Sequence, residues 1–319
     1  MLREKIAAAR PGILTFGVTP PKASDPEEKA LARARATLER VAPARVDGLV
    51  IYDIQDESAR TSAQRTFEYA GTRAPEDYWK RELGAAYPAI LYKVVGKYSK
   101  EELQSFLGSL PRECATVFVG AGSSRESVRL PLKEAYALHR GFPGALLGGI
   151  CIPERHRRKG DEEYRIAAKC LQGCRFFVTQ AVYNTENAKR FLDDYAALNV
   201  PKVPVIFTFT PCGSARTLEF MRWLGISVVP EYEREIMASP DPLERSIGLC
   251  TDLFEFLYKY GLSLGIPVGA NVESISSRKV EQDGAARLLM QIRSIIDSYT
   301  PDDGSFDPEL SGSLASGIV

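Results

Sequence analysis

Eight short apolar runs, each bounded by turn residues, alternate with stretches of helical spacing from Ile13 to Tyr299. The runs are Ile13–Val18, Gly48–Ile54, Ala89–Val95, Ala115–Val119, Leu146–Ile152, Arg175–Val178, Val203–Phe209 and Ile266–Ala270. Each is too short for a buried helix and rich in β-branched or aromatic residues, so each reads as a strand buried on both faces. The stretches between them read as helices. Pro26–Val41 is opened by Asp25, Ser62–Tyr69 continues after the second strand, and Lys100–Leu107 follows a Ser-Lys-Glu-Glu capping box at Ser99. Leu132–Arg140, Asp161–Gln172 and Glu186–Ala197 follow, residues 213–260 form a longer helical insertion, and Val280–Tyr299 closes the series. Strict alternation of this kind predicts an α/β parallel sheet closed as a (β/α)8 TIM barrel, with a helical insertion before strand eight. Residues 1–299 are expected to form this single domain, and residues 300–319, rich in Ser, Gly, Asp and Pro, a disordered tail.

Composition narrows the function. The chain has 319 residues, with 41 basic and 41 acidic side chains that cancel. A balanced charge argues against a protein that coats nucleic acid or an anionic membrane. No apolar run approaches the length of a membrane span, and the N-terminus is too charged for a secretory signal, so a cytoplasmic location is expected. The six cysteines are scattered, several in apolar runs, and read as reduced core residues; with two histidines in all, a metal site is not expected.

The stretch Gly148–Asn184 concentrates polar residues where a barrel binds its ligands. Pro153 closes the fifth apolar run and places Glu154, Arg155 and His156 in a loop past its end. The following helix carries Glu162, Arg165 and Lys169, Gly173 stops it, and the sixth strand delivers Thr179 and Gln180 to the same end as His156. Ligands bind at the C-terminal end of parallel strands, so strand-end residues should converge there. Those residues are Asp53 and Gln55 from strand two, Tyr92 and Lys93 from strand three, and Gly120 and Ala121 from strand four. Ile152 and His156 come from strand five, Gln180 and Tyr183 from strand six, Thr208 from strand seven, and Asn271 and Glu273 from strand eight. Gln180 can donate and accept at once, as a ring with a mixed donor and acceptor edge requires. Tyr183 could stack on a ring or pack under the next helix.

Pro153–His156, the helix bearing Lys169, Gly173 and the Thr179–Gln180 pair followed by an aromatic residue resemble the flavin-binding core of the methylenetetrahydrofolate reductase family. The resemblance is strong over residues 148–184 and thinner elsewhere. It implies a barrel oxidoreductase that passes a hydride through FAD to a C1-folate, with NAD(P)H as electron donor; FMN or no flavin are the alternatives. It implies that Tyr92, Gly120, Ala121, Ile152, His156, Glu162, Arg165 and Lys169 hold the flavin. It also implies that Gln180, Tyr183, Thr208 and Asn271 face the folate. A homo-oligomer or a partner subunit is compatible with it.

Two departures touch the chemistry. The family's strand-one glutamate, its general acid, is replaced by Gly17, and its strand-four aspartate by Ala121; a strand-three histidine is replaced by Tyr92. A glycine cannot transfer a proton, so the acid must be relocated, with Asp53, Asp56, Glu57 and Glu273 as candidates beside Gln180. Restoring the carboxylates with Gly17→Glu and Ala121→Asp is then expected to raise folate reduction. The alternative is a folate-binding barrel without hydride transfer, serving C1 transfer, regulation or a partner subunit. A third reading, an aldolase-like lyase, lacks a lysine at an obvious strand-six position.

Overall fold

The computed structural model describes residues 2–56, 63–120 and 128–299. Eight parallel strands close in sequential order into one barrel. They are β1 (Leu14–Val18), β2 (Gly48–Ile51), β3 (Ala89–Val94), β4 (Ala115–Val119), β5 (Leu146–Cys151), β6 (Cys174–Ala181), β7 (Val205–Phe209) and β8 (Val268–Glu273). Most strand residues are fully buried on both faces, which is why the runs read as continuous apolar segments. The ladder closes between β1 and β8, with Thr15 opposite Asn271 and Gly17 opposite Glu273.

Two apolar layers follow from the two faces of the strands. Val50, Ile90, Val117, Phe176, Val178 and Ile206 fill the interior. The alternate residues, such as Leu49, Leu91, Phe177 and Phe207, pack outward against the helices. Gly148 lets the interior fill: a Cβ there would lie 2.4 Å from the Phe176 ring. The lower end of the interior is closed by α1 (Leu2–Ala7), whose Leu2 and Ile6 are almost wholly buried in this layer. Arg3 fastens α1 by donating to the carbonyls of Arg112 and Gly144, and Lys5 pairs with Asp47.

The outer helices are α2 (Glu27–Val41), a short turn α3 (Pro75–Asp77), α4 (Lys100–Ser109), α5 (Leu132–His139), α6 (Pro153–Lys159), α7 (Glu162–Leu171) and α8 (Thr185–Ala197). The insertion supplies α9 (Ala215–Trp223), α10 (Pro230–Ala238) and α11 (Pro242–Ser263), and α12 (Lys279–Tyr299) closes the chain. The capping box at the start of α4 is present, with the Ser99 and Glu102 side chains each accepting from the other's backbone N–H. No helix among the described residues is long and apolar enough to cross a membrane. All six cysteines are free. The C-terminal segment expected to be disordered, residues 300–319, lies outside the described residues, as do Glu57 and Ala121.

Three local expectations are corrected. Ala63–Tyr69 is not helical: Trp223 donates its indole N–H to the Ala63 carbonyl, and Phe67 meets Phe220 edge-on at 5.0 Å, so contacts with α9 replace intrahelical bonds. Glu154 and His156 lie in α6 rather than a loop, because Pro153 occupies the first helical turn and starts it. Strand β6 continues through Thr179 and Gln180 to Ala181: Thr179 pairs with Cys151 of β5, and the ladder to β7 shifts register between Val178 and Ala181.

Candidate functional site

A cavity of about 1260 Å³ opens at the C-terminal end of the barrel. It is floored by inward-facing residues of the last strand layer, including Tyr52, Tyr92, Ile150, Gln180, Thr208 and Glu273. Gly120, Ile152 and Lys169 line its wall, and Trp223 and Leu224, from the end of α9, form part of its rim.

Glu273 occupies the space above Gly17. A Cβ on Gly17 would lie 2.8 Å from Glu273 Cβ and 2.8 Å from the Tyr52 hydroxyl. The strand-one position that the resemblance would fill with a carboxylate thus faces one on the adjoining strand. This reverses the expectation for Gly17→Glu: a side chain at position 17 would displace Glu273 and Tyr52 rather than restore an acid.

A directed hydrogen-bond chain supports Glu273. Thr15 donates to Asn271 Oδ1 at 3.0 Å, and the Asn271 amide donates to the Tyr52 hydroxyl at 2.9 Å and to Thr208 Oγ1 at 3.3 Å. Having accepted from Asn271, Tyr52 turns its own proton to Glu273. Burial pushes the Glu273 carboxyl up to about 7, and the Tyr52 bond opposes this only in part. The Tyr52 phenol is itself held well above its ordinary value, chiefly by burial and then by the Glu273 charge. Tyr92 meets Tyr52 edge-on at 5.0 Å and extends the aromatic part of the floor.

The remaining nominated residues divide by what holds them. Gln180 lines the cavity and donates to the Leu224 carbonyl at 2.7 Å, tying the barrel to the insertion. Thr208 lines it too, while donating to the Thr179 carbonyl at 2.8 Å. Asn271 is fully buried beneath the floor and acts through Tyr52. Asp53 borders the cavity with both carboxylate oxygens engaged. It accepts from the Val94 N–H and the Tyr98 hydroxyl, each at 2.9 Å, and pairs with Lys97. Tyr183 is not a stacking residue: it is 0% exposed, and its hydroxyl donates to the Thr210 carbonyl at 2.6 Å. Lys93 points away from the mouth, buried against Phe106 and Tyr98 and paired with Glu76 at 2.6 Å.

The cations assigned to flavin phosphates do not converge. His156 is buried between Glu163, at 3.0 Å, and Asp194, at 2.8 Å, because α6 turns it toward α7 and α8. Arg165 pairs with Asp161 at 3.1 Å on the half-exposed side of α7. Lys169 reaches the cavity but donates to the Ile150 carbonyl at 2.5 Å, and burial lowers its pKa. Glu162 is fully buried and accepts from the Ile152 N–H at 2.9 Å, bracing α7 against the end of β5. The described residues therefore do not fit a flavin phosphate cradle built on His156, Arg165 and Lys169, and no chemical step is routed through one here.

Two cavity groups were absent from the nominated set. Glu154 is buried, with no hydrogen-bond partner beyond its own backbone N–H, and burial raises its carboxyl to about 7. Its place beside His156 in the sequence was the available signal. Arg65 enters from the segment read as a helix, its guanidinium 4.7 Å from the Trp223 ring. No periodicity marks it.

No protein-family model matches this chain, and no curated protein does. Among solved structures, one from Clostridium thermocellum is described as an uncharacterized protein that binds two copies of 5-methyl-5,6,7,8-tetrahydrofolic acid. It is 41% identical, the match covers 92% of this chain and 100% of that one, and the TM-score is 0.82. This chain belongs to the same family. Members of that family thus share the barrel at high structural similarity. An archaeal fructose 1,6-bisphosphate aldolase is 13% identical, with 93% of this chain and 100% of that one covered and a TM-score of 0.45. A 2,3-dimethylmalate lyase is 12% identical over 99% of this chain and 98% of its own, with a TM-score of 0.41. Neither carries an argument about this site.

Proposed function

We propose that the barrel mouth binds a reduced C1-folate and that the chain is a methylenetetrahydrofolate reductase-like oxidoreductase using Glu273 as its acid. The observation that carries the reading is the placement of Glu273 over Gly17, held by Tyr52 and with its carboxyl near 7. A general acid works best when its pKa lies near the working pH. The methyltetrahydrofolate bound by the Clostridium thermocellum relative supports the ligand class. The cavity, at about 1260 Å³, exceeds the roughly 300–1,000 Å³ typical of a single small-molecule site and leaves room for a folate and a second ring system.

In this reading Glu273 protonates N10 of 5,10-methylenetetrahydrofolate, which opens the five-membered ring to an N5 iminium. Hydride from NAD(P)H reaches the methylene carbon and gives 5-methyltetrahydrofolate, NAD(P)⁺ and the Glu273 carboxylate, which water reprotonates. Gln180 and Thr208 supply polar contacts to the pterin edge, and Asn271 positions Tyr52. Direct transfer from the nicotinamide is preferred because the cations named for the flavin phosphates are engaged elsewhere.

The test is an anaerobic assay of reduced-nicotinamide oxidation with 5,10-methylenetetrahydrofolate, run on protein whose absorbance spectrum is recorded with and without added FAD or FMN. The expected result is 5-methyltetrahydrofolate formed one for one with nicotinamide oxidised, without flavin, and a loss of about 10²–10⁴ in rate for Glu273→Gln. Turnover only with flavin would overturn the direct transfer. Folate binding without turnover would leave a folate-binding barrel that lacks hydride transfer. Failure to bind any reduced folate would refute the proposal.

A further inference from the structure

Glu154 borders the cavity at the start of α6, which follows β5, three strands round the barrel from Glu273 on β8. It is 8% exposed. Among the described residues, neither carboxyl oxygen is reached by solvent or bonded beyond its own backbone N–H. A buried polar group without a partner is rare in a folded protein and calls for one. Asn187, from the first turn of α8, is 3% exposed and lines the same cavity. The His156–Asp194 contact at 2.8 Å holds α6 against α8. Charges of both signs surround this corner. Glu162 is buried and close enough to raise the Glu154 carboxyl further, while Arg155 lies 3.9 Å from Glu162 and Lys169 reaches the cavity from α7. Lys169 and Arg155 oppose a cationic guest, and Glu154 and Glu162 an anionic one. The corner therefore suits a neutral group that both donates and accepts.

Resting on the folate reading above, we infer that Glu154 and Asn187 form a second recognition subsite, which takes the amide edge of a second planar ring held in the cavity with the folate. An amide edge presents a carbonyl beside an N–H. The Asn187 amide donates to the carbonyl, and the Glu154 carboxyl accepts from the N–H. On binding, rotation about the Glu154 side-chain bonds carries the carboxyl from the wall to the ring and ends its isolation. Two rings carry such an edge in this setting: the carboxamide of a reduced nicotinamide, and the lactam of a second reduced pterin. Either fits beside a folate in a cavity of about 1260 Å³.

The test is calorimetric titration of the full chain with 5-methyltetrahydrofolate, read for stoichiometry. The chain carrying one equivalent of it is then titrated with NADH and with the reduced 3-acetylpyridine analogue, in which a methyl group replaces the amide NH2. The expected result is that Glu154→Leu and Asn187→Leu each weaken the second ring about tenfold or more, the scale of one strong hydrogen bond, and leave the first folate's affinity unchanged. Glu154→Gln, which keeps an acceptor, should recover part of the loss. Ligand-free Glu154→Leu should melt no lower than wild type, because an unpaired buried carboxyl is removed; a lower melting temperature would make the carboxyl structural and overturn the inference. If nicotinamide is the guest, NADH weakens in the variants and the acetyl analogue binds wild type poorly. If a pterin is the guest, the second equivalent of methyltetrahydrofolate is the one lost. Wild type that takes one folate and no second ring, or second-ring affinity that survives both leucine variants, would overturn the inference and leave the folate reading standing. Failure to bind any reduced folate would remove both.

Discussion

Gly17→Ala adds one methyl group at the most crowded point of the cavity floor. That carbon would sit 2.8 Å from Glu273 Cβ, 2.8 Å from the Tyr52 hydroxyl and 3.0 Å from the edge of its ring, all well inside van der Waals contact. Neither neighbour yields cheaply. Glu273 Cβ is one bond from the β8 backbone, which is paired to β1 at this very residue. Tyr52 is held through its hydroxyl by Asn271 at 2.9 Å. Overpacking of this kind costs about 1–3 kcal/mol, and loss of the Tyr52 bond adds about 1 kcal/mol. For a domain of this size such a cost lowers the melting temperature by roughly 3–6 °C. The same displacement moves Glu273, so affinity for 5-methyltetrahydrofolate should fall with it. Thermal unfolding followed by circular dichroism, with a parallel folate titration, measures both. An alanine variant that melts within about 1 °C of wild type and binds folate equally well would refute the reasoning, since the floor would then have room the geometry denies it.

Glu273→Gln should change the pH dependence of stability. A carboxyl raised from 4.5 in the unfolded chain to about 7 in the folded one costs nothing below pH 4.5 and progressively destabilises the fold up to its folded pKa. The glutamine variant should therefore gain on wild type by about 3 kcal/mol between acid and mildly alkaline pH, read from urea melts across that window; a constant difference would place the charge in a solvated setting. Tyr183→Phe should cost about 1–2 kcal/mol through the lost bond to the Thr210 carbonyl and leave folate affinity unchanged. A tenfold loss of affinity in a stable Tyr183→Phe protein would return this residue to the site.

The barrel was legible because its evidence is local. Each strand is a short apolar run, α4 starts on its own capping box, and strand-end positions such as Tyr92, Gln180, Thr208 and Glu273 follow from period and direction alone. What the sequence hid were relations across the sheet and between layers. Gly17 and Glu273 are opposite one another only because β1 closes on β8, and the two are far apart in sequence. His156 and Tyr183 both lie next to residues of the mouth, yet α6 rotates one toward Asp194 and the turn after β6 sends the other into the core. Arg65 belongs to a segment shaped by contacts with α9, which no local pattern encodes.

The plug formed by Leu2 and Ile6 also constrains kinetics. With the lower end of the barrel sealed, ligands reach the Tyr52–Glu273 floor from the C-terminal mouth. Under the proposed function, two ring systems stacked in that chamber would not exchange independently: the inner one would arrive first and depart last. A compulsory order of binding, with dead-end complexes when the outer ligand is in excess, would then arise from six residues at the opposite end of the molecule from the chemistry.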